Sequence, residues 1–299
     1  MKKIGFIGVG NMGTPMASNL LKKGYPVTVF DTVKEKVEAM AKVGAKISSS
    51  SKEAATGAEV VITMLPSSPH VEKAVLGKDG ILEGVSPGSV YIDMSTIDPI
   101  TTKKIAKIMA EKKVSMLDSP VTGGVSGAIN ATLTLYIGGD KEVLEEVRDV
   151  LESMGKTLHH MGEIGSGAMT KLVNNLCTGV ITAATIEALV IGVKAGVDVD
   201  KLVAAVATGS GGSQVLNRQI KEYALKRRFE EVNFPVDLML KDLDLAMATA
   251  KELNLPLLFG ALAHAIYTML KAKGRGKGFF PEVITIFEEY AGVEVRSRE

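Results

Sequence analysis

The chain has 299 residues, 46% hydrophobic and 23% charged, with 35 Lys and Arg against 34 Asp and Glu, for a formal net charge of +1. This length favours two domains over one core, and the balanced charge gives no electrostatic reason to expect a nucleic acid or an anionic membrane as a partner. The single cysteine, Cys177, excludes an internal disulfide. Because no Cys/His cluster has metal-ligand spacing either, we expect a reducing compartment and no metal site.

The N-terminus begins like a signal peptide, with two lysines before an apolar run at residues 4–9. That run is too short and glycine-rich for a signal peptide, and no small-residue cleavage site closes it. No segment approaches the ~18 uncharged apolar residues of a membrane span. We therefore expect a soluble, cytoplasmic protein that does not bind a membrane.

The first motif is a short β-branched run at residues 4–7, a glycine turn, and a helix with Met16, Leu20 and Leu21 at helical spacing. In a Gly-x-Gly-x-x-Gly turn the first glycine makes the turn, the second admits a pyrophosphate and the third lets the helix pack on the strand. The pyrophosphate then sits at the helix N-terminus. The residues expected to bind a dinucleotide here are Gly8, Gly10, Asn11, Met12 and Gly13.

The next strand, residues 27–30, ends at Asp31. An acid at this place accepts hydrogen bonds from the adenosine ribose and repels a 2′-phosphate. The next two residues offer no arginine, and Lys34 is the nearest cation in sequence. The sequence therefore favours NAD over NADP. The alternative, that Asp31 caps the helix starting near Lys34, stays open.

Three further strands, residues 59–65, 90–94 and 114–117, each end in small polar residues. Carboxyl ends of parallel strands share one edge of a sheet, where ligands of open α/β proteins bind. We expect this edge to form a binding rim, with Leu65 and Pro66 on the cofactor side. Strands at 133–137 and 157–160 complete the sheet around a helix that begins near Lys141.

The second half is helical by period, and Gly165 to Asn175 marks the junction between the two patterns. In the long helix at 168–194, Lys171 and Asn175 are four residues apart and share one face; a surface lysine is the alternative. We place a Rossmann-type domain at 1–163 and an all-α domain at 164–299. Further helices are expected at 201–208, 213–225, 236–253, 257–272 and 281–290.

Three other features have ordinary structural interpretations. The glycines of 274–278 lack the strand and helix of a phosphate-binding loop, so a flexible connection is expected. Lys241-Asp242-Leu243-Asp244 by itself suggests a solvated helix face. The four histidines, at 70, 159, 160 and 264, have no evident nucleophile partner in the sequence and are interpreted as structural.

Four motifs in order along the chain resemble those of the β-hydroxyacid dehydrogenases, typified by 3-hydroxyisobutyrate dehydrogenase. They are the turn Gly8-Val9-Gly10-Asn11-Met12-Gly13, the loop Asp118-Ser119-Pro120-Val121-Thr122-Gly123-Gly124, Gly165-Ser166-Gly167 followed by Lys171 and Asn175, and Lys241-Asp242-Leu243. The resemblance covers essentially the whole chain. It implies an α/β Rossmann-type dinucleotide-binding domain followed by an all-helical domain, joined by a long interdomain helix, with a substrate cleft between the domains.

The resemblance also implies an activity: oxidation of a small 3-hydroxy acid to its semialdehyde, or the reverse, by hydride transfer at NAD(P). Carried over by motif, Lys171 is the general acid/base. The residues that would hold the substrate are Ser119, Thr122, Gly123, Gly124 and Asn175, and those that would contact the cofactor include Thr96 and Lys241. The family commonly has serine at the position of Thr122 and often an aspartate near Pro281, so the role of residues 279–282 stays open.

Competing hypotheses are a non-catalytic NAD sensor, an imine reductase and 6-phosphogluconate dehydrogenase. Lys171 and Asn175 argue against the sensor, and Lys171 argues against the imine reductase. Asn174 and the chain length argue against 6-phosphogluconate dehydrogenase. The substrate stays open among 3-hydroxyisobutyrate, 2-(hydroxymethyl)glutarate, 4-hydroxybutyrate with succinic semialdehyde, glyoxylate, tartronate semialdehyde and L-serine, with the first two favoured. Small-residue helices suggest a homodimer or homotetramer.

Overall fold

The computed structural model describes residues 1–297 and divides into two compact units, Met1–Lys171 and the chain from Leu172 onward. The first unit is α/β and the second is helical, so the fold class predicted from the sequence is confirmed. Each unit has its own apolar core.

The first unit is built on a nine-stranded sheet in the order β3-β2-β1-β4-β5-β6-β8-β7, with β9 beside β8. β1 to β6 are parallel, whereas β8 runs antiparallel to β6 and β7. Every residue of β1, β4 and β5 is buried, as expected of strands covered on both faces. The strands are β1 (Ile4–Ile7), β2 (Val27–Phe30), β3 (Lys46–Ile47), β4 (Val60–Thr63), β5 (Val90–Asp93), β6 (Ser115–Asp118), β7 (Val121–Thr122), β8 (Leu133–Gly138) and β9 (Gly155–Gly162).

Helices cover both faces of this sheet. Alternate strand residues belong to different apolar clusters: Ile62 and Ile92 lie in one, while their neighbours Val61 and Tyr91 lie in the other. This period of two is what a sheet buried on both faces requires. The helices are α1 (Gly13–Lys22), α2 (Lys34–Ala41), α3 (Ser51–Ala55), α4 (Ser68–Leu76), α5 (Ile81–Gly84), α6 (Pro99–Glu111), α7 (Gly124–Ile129), α8 (Lys141–Glu146) and α9 (Arg148–Glu152).

The second unit contains helices around a single apolar cluster that includes Met239, Tyr267 and Phe279. They are α10 (Ser166–Lys194), which begins in the first unit, α11 (Val199–Thr208), a π-helical segment (Val215–Ala224), α12 (Val236–Glu252), α13 (Leu258–Leu270) and α14 (Ile284–Ala291). α13 continues as a π-helical turn, Lys271–Arg275, so the predicted loop at 274–278 is partly helical.

The segment whose role the sequence left open is part of this core. Phe279 is buried with its ring edge-on to Tyr223 and to Phe280. Glu282 is buried and its Oε1 lies 2.5 Å from Nε of Arg275. The segment therefore packs the core and ties the glycine-rich turn to a 3₁₀ helix, Phe280–Val283, with which the predicted 281–290 helix begins.

Helix α10 departs from one expectation. At 29 residues it is long and apolar enough to cross a membrane by length and composition, so it was wrong to expect no segment near that limit. A core helix of a soluble protein passes the same test. Only 33% of its most apolar window is buried within the chain, so much of its apolar surface is open to another molecule.

Candidate active site

The turn between β1 and α1 requires two of its glycines for internal packing. Gly8 has a φ of +95°, and a Cβ there would lie 2.4 Å from the Met64 carbonyl oxygen. A Cβ on Gly13 would lie 1.9 Å from the Gly8 carbonyl oxygen. No side chain fits at either place, so these two positions hold strand, turn and helix together.

Gly10 is different, because the nearest atom to an added Cβ would be Lys36 Nζ, 3.9 Å away. The protein itself does not need this glycine, and the space above it is open. α1 has no side-chain cap at Met12 and no acid in its first turn, so its N–H groups face this space without a negative charge of the protein's own. An anion such as the pyrophosphate of NAD fits here. A cavity of about 390 Å³ adjoins the turn, lined by Val9, Gly10, Asn11, Thr14, Pro15, Lys36, Val125 and Ile129.

Asp31 follows β2 and is partly buried. Its Oδ2 accepts a hydrogen bond from Val9 N and its Oδ1 from Val33 N, both at 2.9 Å. The carboxylate thus joins the glycine turn to Val33, the residue before α2. Among the described residues it accepts no amide of α2 itself, so the capping alternative is wrong. Each oxygen keeps a free lone pair, so a ribose hydroxyl can still donate to it.

The ends of β4 and β5 are tied to each other. Leu65 N donates to Ser95 Oγ at 2.9 Å, and Ser95 N donates to Asp93 Oδ1 at 3.1 Å. Leu65, Pro66 and Thr96 follow these two parallel strands, at the sheet edge that also carries the turn after β1. β1 lies between β2 and β4, where the strand order reverses, and open α/β sheets bind ligands at such a point.

The loop after β6 presents one polar group without a protein partner. Ser119 is 0% exposed; its N–H donates to the Asp93 carbonyl oxygen at 2.7 Å, while its Oγ is buried and has no hydrogen-bond partner among the described residues. Such a hydroxyl is costly unless a ligand satisfies it. Ser119 is therefore well suited to bind a substrate oxygen.

The rest of that loop changes direction at two glycines. Thr122 ends the short strand β7, and Gly123 and Gly124 have φ values of +127° and +65°. A Cβ on Gly124 would meet nothing within 4 Å, so this position needs glycine for its backbone conformation and leaves open space beside it. The successive amides of such a turn can cradle an anion.

Lys171 lies in the second turn of α10 and is only 8% exposed. The surface-lysine alternative is therefore wrong. Burying a charged side chain costs free energy. Buried lysines are therefore found mainly where the charge is paired or takes part in a functional site.

A carboxylate holds the start of this helix. Asp118, the last residue of β6, is 1% exposed. Its Oδ1 accepts from Gly165 N at 2.7 Å and its Oδ2 from Ala168 N at 2.6 Å. Burial raises the pKa of Asp118, and the amide hydrogen bonds oppose that rise. The motif that contains Asp118 gave no indication of this role.

Asn175 and Lys241 both contact the carboxylate of Asp242, a residue for which the sequence indicated no such role. Asn175, 5% exposed, donates from Nδ2 to Oδ2 of Asp242, and Lys241 Nζ lies 2.9 Å from Oδ1 of the same carboxylate. Asp242 is 1% exposed, so the solvated-face interpretation holds for Asp244, which is exposed and pairs with His264, and is wrong for Asp242. The available signal was that Asp242 lies on the same helix face as the apolar Met239 and Ala246, three and four residues away.

Within residues 1–297 no group of three or more His, Cys, Asp or Glu side chains could hold a metal ion. His70 Nδ1 lies 2.7 Å from Ser67 Oγ, but both side chains are at the exposed start of α4 and no acid orients the ring, so they do not form a catalytic triad.

Comparisons with known proteins agree with these motifs along the whole chain. A protein-family model described as the NAD binding domain of 6-phosphogluconate dehydrogenase matches residues 3–162. A second family model, described as NAD-binding of NADP-dependent 3-hydroxyisobutyrate dehydrogenase, matches residues 165–286.

Three similar proteins cover nearly all of the chain. It is 42% identical to a probable mitochondrial 3-hydroxyisobutyrate dehydrogenase of Dictyostelium discoideum, over 94% of this chain and 89% of the relative. It is 38% identical to the 2-(hydroxymethyl)glutarate dehydrogenase of Eubacterium barkeri, over 98% and 97%. A solved structure of Mycobacterium tuberculosis 3-hydroxyisobutyrate dehydrogenase with L-serine has a TM-score of 0.88 at 31% identity, covering 96% of this chain and 99% of that one. The chain belongs to the β-hydroxyacid dehydrogenase family.

Proposed function

We propose that this protein oxidises a small 3-hydroxy acid to its semialdehyde, or catalyses the reverse reduction, with NAD as the hydride carrier and Lys171 as the general acid/base. The observation that carries the proposal is the buried Lys171 in the second turn of α10, in a chain that matches the family over nearly its whole length. A sensor without turnover has no use for a buried proton-transfer group beside its cofactor.

The chemistry divides between cofactor and protein. Bound NAD supplies the acceptor for the hydride that leaves the carbinol carbon. The proton of the hydroxyl must leave as the carbonyl forms, and a group within hydrogen-bond reach of that oxygen has to take it. We assign this step to Lys171. Asn175, whose Oδ1 accepts from Asn174 and whose Nδ2 donates to Asp242, keeps one N–H to hold a substrate oxygen.

The loop after β6 is proposed to bind the substrate carboxylate. The unpartnered Ser119 hydroxyl, the Thr122 hydroxyl and the amides of Gly123 and Gly124 offer donors without adding charge. Threonine at 122 keeps the hydroxyl that the family commonly supplies from serine, so substrate binding should survive the difference.

The cofactor assignments rest on the first unit and on Lys241. We propose that Gly8, Gly10, Asn11, Met12 and Gly13 hold the pyrophosphate and that Asp31 holds the ribose, with Leu65, Pro66 and Thr96 beside the cofactor. Lys241, ion-paired to Asp242, is proposed to contact it from α12. Asp31 makes NAD the preferred cofactor, because its charge repels a 2′-phosphate.

The favoured substrates are 3-hydroxyisobutyrate and 2-(hydroxymethyl)glutarate, on which the two relatives above are named to act. Reductases of glyoxylate or succinic semialdehyde and of tartronate semialdehyde are the alternatives, and L-serine is included because it accompanies the mycobacterial structure.

We also propose the domain division 1–163 and 164–299, which is supported by the ends of the two family matches at residues 162 and 165.

A homodimer or homotetramer is proposed because α13 exposes Leu258, Phe259 and Leu262 and α10 exposes Ile191. A cytoplasmic location suits the free, exposed Cys177. Light scattering on the purified protein tests the assembly, and a monomer at micromolar concentration would contradict it.

The direct test is a panel of the named hydroxy acids and semialdehydes with NAD and NADP, followed through absorbance of the reduced nicotinamide. We expect turnover of at least one 3-hydroxy acid, with a higher kcat/KM for NAD than for NADP. Tight NAD binding with no turnover of any member would favour the sensor hypothesis. Preference for NADP would overturn the role of Asp31.

A further inference from the structure

The carboxylate of Asp118 joins the central sheet to the first turn of the helix that carries Lys171. One oxygen accepts from Gly165 N and the other from Ala168 N, at 2.7 and 2.6 Å. The first four N–H groups of a helix have no partner within it, and a negative charge at this end is favoured by the helix dipole. One side chain thus satisfies two amides on either side of the point where α10 begins at Ser166.

Two glycines pack closely against this carboxylate. Gly138 pairs with Asp118 across β6 and β8, and a Cβ on Gly138 would lie 2.4 Å from Oδ1. A Cβ on Gly167 would lie 2.9 Å from Oδ2 and 2.2 Å from the Tyr136 carbonyl oxygen. Two glycines therefore let strand and helix approach the carboxylate from both sides, as close backbone packing requires.

The position of this first turn sets the position of the ammonium group. Lys171 follows Ala168 by three residues, so the two lie one above the other on the helix. A shift of about 1 Å in a catalytic group can reduce the rate about 100-fold. Rotation or withdrawal of the first turn would carry Lys171 with it, although the helix beyond would stay folded on its own contacts.

We propose that Asp118 is the positioning residue for Lys171: it fixes the depth and rotation of α10 at the sheet edge and thereby holds the ammonium group at the reacting oxygen. This inference deepens the proposed function and rests on Lys171 being the acid/base. Asp118 itself touches neither substrate nor cofactor in this account.

The test is Asp118→Asn in the full-length protein, which keeps the size of the side chain but places an NH₂ where an oxygen accepted. We expect kcat to fall by about 10- to 100-fold. The dissociation constant of reduced NAD, measured by its fluorescence, should stay within about twofold of the wild type, and hydrogen exchange should accelerate at the amides of Gly165 and Ala168.

Asp198→Asn is the matched control. Asp198 Oδ1 accepts from the amides of Asp200 and Lys201 at the start of α11, so this variant also removes a helix-capping carboxylate. Its kcat should stay within about twofold of the wild type. An equal fall of kcat in Asp198→Asn would show a general loss of stability and would overturn the positioning role.

Wild-type kcat in folded Asp118→Asn would also overturn it. If Asp118→Asn does not fold, Ala168→Pro takes its place. This variant deletes one donor to the carboxylate, in a first turn where proline breaks no intrahelical bond. An unchanged kcat in Ala168→Pro would overturn the positioning role equally.

Lys171→Ala separates the positioning role from the proposed function. If Lys171→Ala keeps its activity, the proposed function fails. If Lys171→Ala is inactive and Asp118→Asn is normal, only the positioning role fails.

Discussion

Two buried aspartates stand side by side at the ends of neighbouring strands, and they differ in what meets their oxygens. Asp93 ends β5 and Asp118 ends β6, in register with each other, and each is 1% exposed. Both oxygens of Asp118 accept backbone amides from the start of α10. Asp93 accepts from Thr63 Oγ1 and Ser95 N through Oδ1 only, and its Oδ2 has no partner among the described residues.

The difference shows how a buried charge acquires its role. Burial raises the pKa of both carboxyls, and the charge of Asp118 adds to the rise at Asp93, whose pKa reaches about 6. Asp118 exchanges water for two amides and in return fixes a second element against the sheet. Asp93 keeps one oxygen without a partner among the described residues, and burial with the nearby charge raises its pKa to about 6. Equal burial therefore gives an anchor in one case and a titratable site in the other.

The largest effect is expected when Lys171 is substituted, because Lys171 lies on α10, the helix that Asp118 anchors. Lys171→Ala should lower kcat by about 10²- to 10⁴-fold, the usual worth of a general acid/base, while reduced NAD still binds. Lys194→Ala is the matched control on the same helix, because Lys194 is exposed and its Nζ donates to the Ala291 carbonyl oxygen on the surface. Steady-state kinetics and fluorescence titration of both variants check this. Normal turnover by Lys171→Ala would remove the mechanism.

Asp93 provides the next effect, on stability. A carboxyl with a higher pKa in the folded than in the unfolded protein binds its proton more tightly when folded, so the stability it contributes is present at low pH and lost as pH rises. From its ordinary value of 3.8 to about 6, that loss is about 3 kcal/mol at about 1.4 kcal/mol per pKa unit. Urea unfolding of the wild type and Asp93→Asn should therefore show stabilities that diverge by roughly this amount between about pH 3, below the unfolded pKa, and about pH 7.5, above the folded pKa. Parallel curves would show that Asp93 is not titrating there.

Smaller effects are expected from the two serines that follow these strands, Ser95 after β5 and Ser119 after β6. Among residues 1–297 Ser119 Oγ has no hydrogen-bond partner, so Ser119→Ala should leave the free energy of unfolding within about 0.5 kcal/mol, because no such hydrogen bond is lost. It should raise KM for the hydroxy acid about tenfold, as expected for one lost hydrogen bond to an ionised group. Ser95→Ala is the control: its Oγ accepts from Leu65 N, so it should cost about 1 kcal/mol of stability. A stability loss in Ser119→Ala with unchanged KM would reverse this assignment.

Local patterns were sufficient for much of the molecule. The strand–glycine–helix opening, the buried run of β4 and the helical second half follow from period and turn chemistry, and the structure contains each of them. Motif order was enough to identify the family. The same patterns placed Lys171 on a helix but could not say that it is buried.

What the sequence did not give depends on contacts between distant residues. Asp118 meets Gly165 across 47 positions, and Asn175 meets Asp242 across 67, and no local period reports such pairs. The short strand β7 and the antiparallel course of β8 were missed for the same reason, since two residues carry no period. The length of α10 was predicted to within two residues, but its exposed apolar side chains were not foreseen, because many small residues are also typical of a buried core helix.

The central claim is that this protein moves a hydride from the carbinol carbon of a hydroxy acid to NAD. The most direct measurement is the mass of the reduced nicotinamide formed from 3-hydroxyisobutyrate deuterated at the carbinol carbon, with 2-(hydroxymethyl)glutarate and L-serine labelled likewise in parallel reactions. We expect reduced NAD that carries one deuterium from at least one of these acids. Reduced NAD without deuterium, or none formed from any of them, would contradict it.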